Sequence, residues 1–292
     1  MSEAKQYLDD ELKLFAAVDY ESLMKLLMQD YSEKRAFKLF KKWYDEIDRR
    51  EEGHITNDKG IYTLMNEEYK SSLALIGGTN YNRYLAQGEW IENHKELFGK
   101  RILDVGCLNG ILTCFIAKLF PESNVIGIDD NKPAIVNAKK LAKELNLKNV
   151  KFVFVPLLRY EGSFDTVFSS LVLHENYDTR CPDDYETKTE EEMIDYWYKL
   201  INPTIEKISS LLENKGGAIC FERYHYSIAL AALLKAFSQN DLQLDINQFD
   251  YARFANEPGM VSYILRKESG IHADFRAQYE TIKTKLSEKG VL

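Results

Sequence analysis

Leu103-Asp104-Val105-Gly106-Cys107-Leu108-Asn109-Gly110 is the stretch whose reading decides the fold. The apolar run that starts at Arg101 ends in a turn with glycines at 106 and 110. Ile111 to Phe120 then follows at helical spacing. Glycine takes backbone conformations closed to other residues and puts no side chain between the main chain and a ligand. A strand feeding a helix through such a turn is the ligand-binding corner of an open α/β sheet. The next apolar run, Asn124 to Ile128, closes on Asp129 and Asp130. A carboxylate at that strand end accepts from both hydroxyls of a ribose. The turn and the acid together point to a nucleoside-containing ligand.

Outward from this corner, strands are expected at 150–155, 164–171 and 218–221, with two more at 249–254 and 260–265. The last two read as an antiparallel pair. Helices are expected over 133–145, 226–237 and 273–289. Strands alternating with helices at this spacing make a parallel sheet covered on both faces. In the long connection after the fourth strand, Thr189 with Glu192 predicts a capping box and a helix start. Asn202-Pro203 predicts the start of a second helix running to about Glu213. Residues 1–72 read as helical, with Leu8, Leu12, Phe15 and Ala16 on one stripe and Phe37, Phe40, Tyr44 and Ile47 on another. Gly77-Gly78-Thr79-Asn80 reads as a turn and a boundary. The expected organisation is an N-terminal helical cap or lid, 1–78, and a core, 79–292, with a helical insertion at about 175–213.

The chain has 292 residues, 45% of them hydrophobic and 29% charged, with a formal charge of −8. That excludes disordered and fibrous classes. The acidic balance argues against nucleic acid held by bulk charge. Cys107, Cys114, Cys181 and Cys220 form no C-x-x-C pair, so reduced thiols and a cytoplasmic protein are expected. No apolar run is long enough to span a bilayer, and the polar start is no secretory signal.

The choice of ligand turns on the corner. A dinucleotide fingerprint needs G-x-G-x-x-G, whereas position 108 is leucine, and Asp104 repels a phosphate but tolerates an ammonium or sulfonium. That favours S-adenosylmethionine. The chain from about 80 to 268 resembles the class I S-adenosylmethionine-dependent methyltransferases. The resemblance rests on Ile102 to Gly110, Val125 to Asp129, and Gly162 to Phe168. It implies a Rossmann-like, seven-stranded, mostly parallel sheet whose last strand inserts antiparallel between strands five and six. It also implies that Asp104, Gly106 and Gly110 line the methionine half and that Asp129 holds the ribose. The expected cofactor set is completed by Cys107, Asn109, Asp130, Leu157 and Ser169. Family members often carry an acid after strand three for the adenine. Here Phe154-Val155-Pro156-Leu157-Leu158 has none, so adenine is expected against apolar side chains and leucine backbone.

Ligands of open parallel sheets sit beyond the carboxyl ends of the strands. His174 follows strand four and His225 follows strand five, and either imidazole can act as the base on an acceptor. Tyr81, Tyr84, Glu175, Glu222 and Tyr224 are the expected substrate-binding residues. No metal is expected: Asp183-Asp184 lies in an acid-rich loop, and Cys107 and Cys114 lack histidines at zinc spacing. The expected activity is methyl transfer to an O or N atom of a small-molecule metabolite, with no nucleic-acid or membrane partner. A peptide methyltransferase gripping a basic segment with the acidic insertion is the first alternative, and a non-catalytic cofactor-binding scaffold the second. The oligomeric state stays open, a homodimer included.

Overall fold

The computed structural model describes residues 1–51, 59–176, 182–223, 227–252 and 260–288. The helices before the first strand are α1 (Glu3–Gln6), α2 (Tyr20–Leu27), α3 (Glu33–Glu51), α4 (Lys59–Met65), α5 (Tyr69–Ser72) and α6 (Tyr81–Asn93). Then follow β1 (Arg101–Val105), α7 (Ile111–Leu119), β2 (Asn124–Asp129), α8 (Lys132–Glu144), β3 (Val150–Phe154) and β4 (Phe164–Ser170). The chain continues through α9 (Glu190–Leu211), β5 (Leu212–Arg223), α10 (Ser227–Gln239), β6 (Leu242–Leu244), β7 (Asp250–Ala252), β8 (Met260–Lys267) and α11 (Phe275–Glu288). Strand order is β3-β2-β1-β4-β5-β8-β6, with β7 paired to β8. β1 with β4, β2 with β3, and β4 with β5 are parallel, while β8 is antiparallel to β5, β6 and β7. This is the α/β, Rossmann-like architecture with its reversed last strand. The sixth strand is Leu242–Leu244, which the sequence reading passes over. Three residues around a glutamine are too short for a period-two pattern to register. No described helix is long and apolar enough to cross a membrane.

The chain divides into two compact units, Met1–Glu96 with Cys107–Val155, and Leu97–Gly106 with Pro156–Leu292. In the first, α1 passes into a π-helical turn, Tyr7–Glu11, that buries Tyr7 and Leu8. The helix stops there, because Lys13 takes a left-handed conformation at φ 54°. Phe15 and Ala16 therefore lie outside the expected stripe. α3 forms as expected but buries another face. Ala36 and Leu39 are buried, whereas Phe37 and Tyr44 are 49% and 52% exposed. Tyr44 covers part of its ring by stacking on Phe40, centroids 5.8 Å apart. The expected turn falls on Thr79-Asn80, just before α6, and Gly77 and Gly78 themselves are helical. They close a π-helical turn, Leu73–Gly78, and both are buried. A Cβ on Gly77 would stand 2.6 Å from Leu14, and one on Gly78 2.5 Å from Leu26. These glycines let the N-terminal segment approach closely rather than turn away.

In the second unit, β1 lies beside β4 with Val105 opposite Ser169, and β4 beside β5 with Ser169 opposite Cys220. Asp165 braces the entry to β1. Its Oδ2 accepts from the Lys100 and Arg101 amides at 3.0 and 2.8 Å. Burial pulls the Asp165 carboxyl upward, but these amides and the Arg101 guanidinium hold it below the usual carboxylate value. The Thr189–Glu192 capping box is present. The helix that starts there runs unbroken through Asn202-Pro203, so the expected second start does not occur. The buried row Trp197, Ile201, Ile205 and Ile208 spans the proline, and its packing outweighs one missing hydrogen bond. β7 and β8 pair as expected; the residues joining them, Asn256 to Gly259, lie outside the described residues.

Candidate functional site

The turn at 107–110 is built on the end of β2. The Cys107 amide donates to the Ile128 carbonyl at 3.0 Å, and the Gly110 amide to the Cys107 carbonyl at 2.9 Å. Asp129 ties the turn to its own strand end. Its Oδ2 accepts from the Leu108 amide at 2.8 Å and its Oδ1 from the Asn131 amide at 2.7 Å. A carboxylate offers about four lone-pair sites, so these two bonds orient the group and leave it capable of accepting hydroxyls. Leu108 is held left-handed at φ 47° and Gly110 at φ 81°. A Cβ on Gly110 would stand 2.9 Å from that of Ala138, so only glycine fits. Asn131 then caps α8 by accepting from the Ala134 amide at 3.0 Å. Asp130 is exposed beside it.

Asn109 is 1% exposed. Its Nδ2 donates to Ser72 Oγ at 2.9 Å and to the Ser72 carbonyl at 3.3 Å, while its Oδ1 has no hydrogen-bond partner. Tyr81 and Tyr84 on α6 are buried. The Tyr81 hydroxyl donates to Asp9 and accepts from Lys5.

In the second unit, Asp104 is buried at 3% exposure at the end of β1, next to Gly106 at φ 69°. Glu222, 5% exposed at the end of β5, organises the loop after β4. Its Oε1 accepts from the Val172 and Leu173 amides at 3.1 and 3.0 Å and from Ser169 Oγ at 3.4 Å. His174 and Glu175 follow in a 3₁₀ turn, Leu173–Asn176. Leu157 is buried in another, Leu157–Arg159. His225 and Tyr224 lie outside the described residues. Asp183 and Asp184 are exposed, and Asp184 pairs with Lys188 at 2.9 Å.

A family model described as a methyltransferase domain matches residues 98–259, more than half of the chain. The chain belongs to the S-adenosylmethionine-dependent methyltransferases. It is 40% identical over 73 residues to a tRNA (guanine-N(7)-)-methyltransferase of Rubrobacter xylanophilus, covering 22% of this chain and 33% of that one. It is also 40% identical over 83 residues to a ubiquinone biosynthesis O-methyltransferase of Nitrosococcus oceani, covering 27% and 34%. It thus spans about a third of the length of these curated relatives. Among solved structures, the magnesium protoporphyrin IX methyltransferase of Synechocystis PCC 6803 aligns over 69% of this chain and 85% of that one, with 18% identity and a TM-score of 0.47.

The residues of this methyltransferase fit its cofactor. The corner carries carboxylates rather than cations, which suits ribose hydroxyls and a cationic methionine half. Gly106 and Gly110 leave the main chain bare. Asp129 closes β2, where the resemblance expects the ribose, and Asp104 lies at the end of β1, where it expects the methionine half. Sequence reasoning missed Ser72 and Asn66, which stand behind Asn109. Serines and asparagines in a helical stretch carry no spacing that marks them.

Asp129→Ala should weaken S-adenosylhomocysteine binding by about 1.5–3 kcal/mol, the worth of a charged acceptor. Isothermal titration reads this directly. An unchanged dissociation constant would remove Asp129 from the ribose site and leave it as a brace for Leu108 and Asn131.

Proposed function

We propose that the protein transfers the methyl group of S-adenosylmethionine to an oxygen or nitrogen atom of a small-molecule metabolite. The observation that carries the substrate class is the state of its cation-rich helix. α3 holds Lys34, Arg35, Lys38, Lys41 and Lys42. A helix that grips nucleic acid presents such cations to phosphates. Here Arg35 pairs with Glu68, Lys42 with Glu67 and Lys41 with Asp45. With a net charge of −8, that supports a small acceptor over a polyanion.

When bound, the cofactor supplies an electrophilic methyl group. The chain supplies alignment and a proton acceptor. His174 is the proposed base, with His225 second. Glu222 fixes the two amides that precede His174, which holds the turn in place. The helical segment before residue 79 is proposed as the cap that selects the acceptor.

The test is transfer of labelled methyl from S-adenosylmethionine in cell extract, followed by separation by size and by nuclease and protease digestion. Label is expected in the small-molecule fraction. Label in RNA or protein would sink the metabolite reading and leave the methyltransferase assignment intact.

A further inference from the structure

A buried relay runs from the cofactor turn into the helices of residues 59–72. Asn109 Nδ2 donates to Ser72 Oγ at 2.9 Å, and Ser72 Oγ donates to Asn66 Oδ1 at 2.8 Å. Asn66 Nδ2 donates to the Tyr62 carbonyl at 2.8 Å, and Asn137 Nδ2, from α8, donates to the Asn66 carbonyl at 2.8 Å. Asn109, Ser72, Asn66 and Asn137 are each at most 2% exposed. The amide orientations are fixed, because the Ser72, Tyr62 and Asn66 carbonyls can only accept. The serine proton is committed to Asn66, so Ser72 Oγ meets Asn109 as an acceptor. Each group thereby fixes the next.

The relay has a cost at its end. Asn109 Oδ1 is buried without a partner, which is unfavourable by about 1–3 kcal/mol. An asparagine whose packing were the only requirement would turn that oxygen towards a donor. The two bonds to Ser72 hold it instead, and with it the main chain between Gly106 and Gly110.

We propose that Ser72 and Asn66 are positioning residues for the cofactor: they set the turn that receives its methionine half. The inference rests on the cofactor assignment. It changes the expected role of the N-terminal segment. As a lid with no cofactor contact of its own, its loss would spare cofactor affinity. As the support behind Asn109, it is part of the cofactor site.

Full-length Ser72→Ala and Asn66→Ala are compared with wild type by isothermal titration against two ligands, S-adenosylhomocysteine and 5′-methylthioadenosine. The second has the nucleoside but no amino-acid portion. Ser72→Ala removes one buried oxygen and no packing atom, so it keeps the test open if Asn66→Ala unfolds. The expected result is a roughly tenfold rise in the dissociation constant for S-adenosylhomocysteine, about 1.4 kcal/mol, with 5′-methylthioadenosine within twofold. Ser72→Thr, which keeps the hydroxyl, is expected to recover affinity. Equal weakening for both ligands, or no change for either in Ser72→Ala, would overturn the proposal. Wild-type protein that binds neither ligand would overturn the cofactor assignment first, and the proposal with it.

Discussion

Gly106→Ala is expected to lower the free energy of unfolding by about 2–5 kcal/mol, from two additive causes. The residue sits at φ 69°, where an L side chain crowds its own carbonyl. Its Cβ would also stand 2.1 Å from Val172 Cγ2 and 2.9 Å from Cγ1. Val172 cannot yield. It is β-branched and stiff, its amide is held by Glu222 at 3.1 Å, and the preceding Leu171 amide donates to the Phe221 carbonyl at 2.8 Å. Denaturant unfolding of a double-mutant cycle separates the two causes. Val172→Ala removes both methyls and leaves only its Cβ, 3.1 Å from the new one, so Gly106→Ala in that background should cost about 1–2 kcal/mol, chiefly the backbone part. The coupling is then the steric part, about 1–3 kcal/mol. A single Gly106→Ala variant within 0.5 kcal/mol of wild type, by the roughly neutral range of surface substitutions, would mean that the loop after β4 moves freely.

The corner was legible because its signals are local. Gly106 and Gly110 follow β1 in left-handed conformations and Asp129 closes β2, as the spacing of the two runs predicts. The capping box at Thr189 was legible for the same reason: donor and acceptor are three residues apart. What escaped depends on partners distant in sequence. Ser72 meets Asn109 across 37 residues, and Asn66 meets Asn137 across 71. Pro203 is a strong local stop, and it was overruled by a row of buried side chains on either side. On α3, two apolar faces compete, and only the packing of Ala36 and Leu39 decides between them. Gly77 and Gly78 show the same limit. Their residue type says turn, but Leu14 and Leu26 need the space a side chain would take. Local propensity was worth a few tenths to about 1 kcal/mol at the glycines and on α3 and about 3 kcal/mol at Pro203, and tertiary burial was worth more.

His174→Ala should cut turnover by about 10²–10⁴-fold, the usual contribution of a positioned base, while S-adenosylhomocysteine affinity stays within about twofold of wild type. The reasoning starts from the backbone. β4 ends at Ser170, Leu171 is left-handed at φ 58°, and the chain enters the turn Leu173–Asn176. Glu222 holds the amides of Val172 and Leu173, and the Val172 carbonyl accepts from the Glu175 amide at 3.0 Å and from Asn176 Nδ2 at 2.8 Å. The backbone at position 174 is thus braced from both sides, just past the end of β4, where the proposed base stands. Only neutral imidazole accepts a proton. Wild-type turnover should therefore fall on acidification, and the variant should lose that dependence. Glu222→Gln keeps an acceptor oxygen but not the charge, so it should loosen the turn and reduce turnover less than loss of the imidazole does. A His174→Ala enzyme within about threefold of wild type from pH 6 to 9, far short of the usual worth of a base, would leave alignment as the protein's contribution. His225 is then the next position to replace. If that variant is also active, the acceptor atom reaches the methyl group already deprotonated.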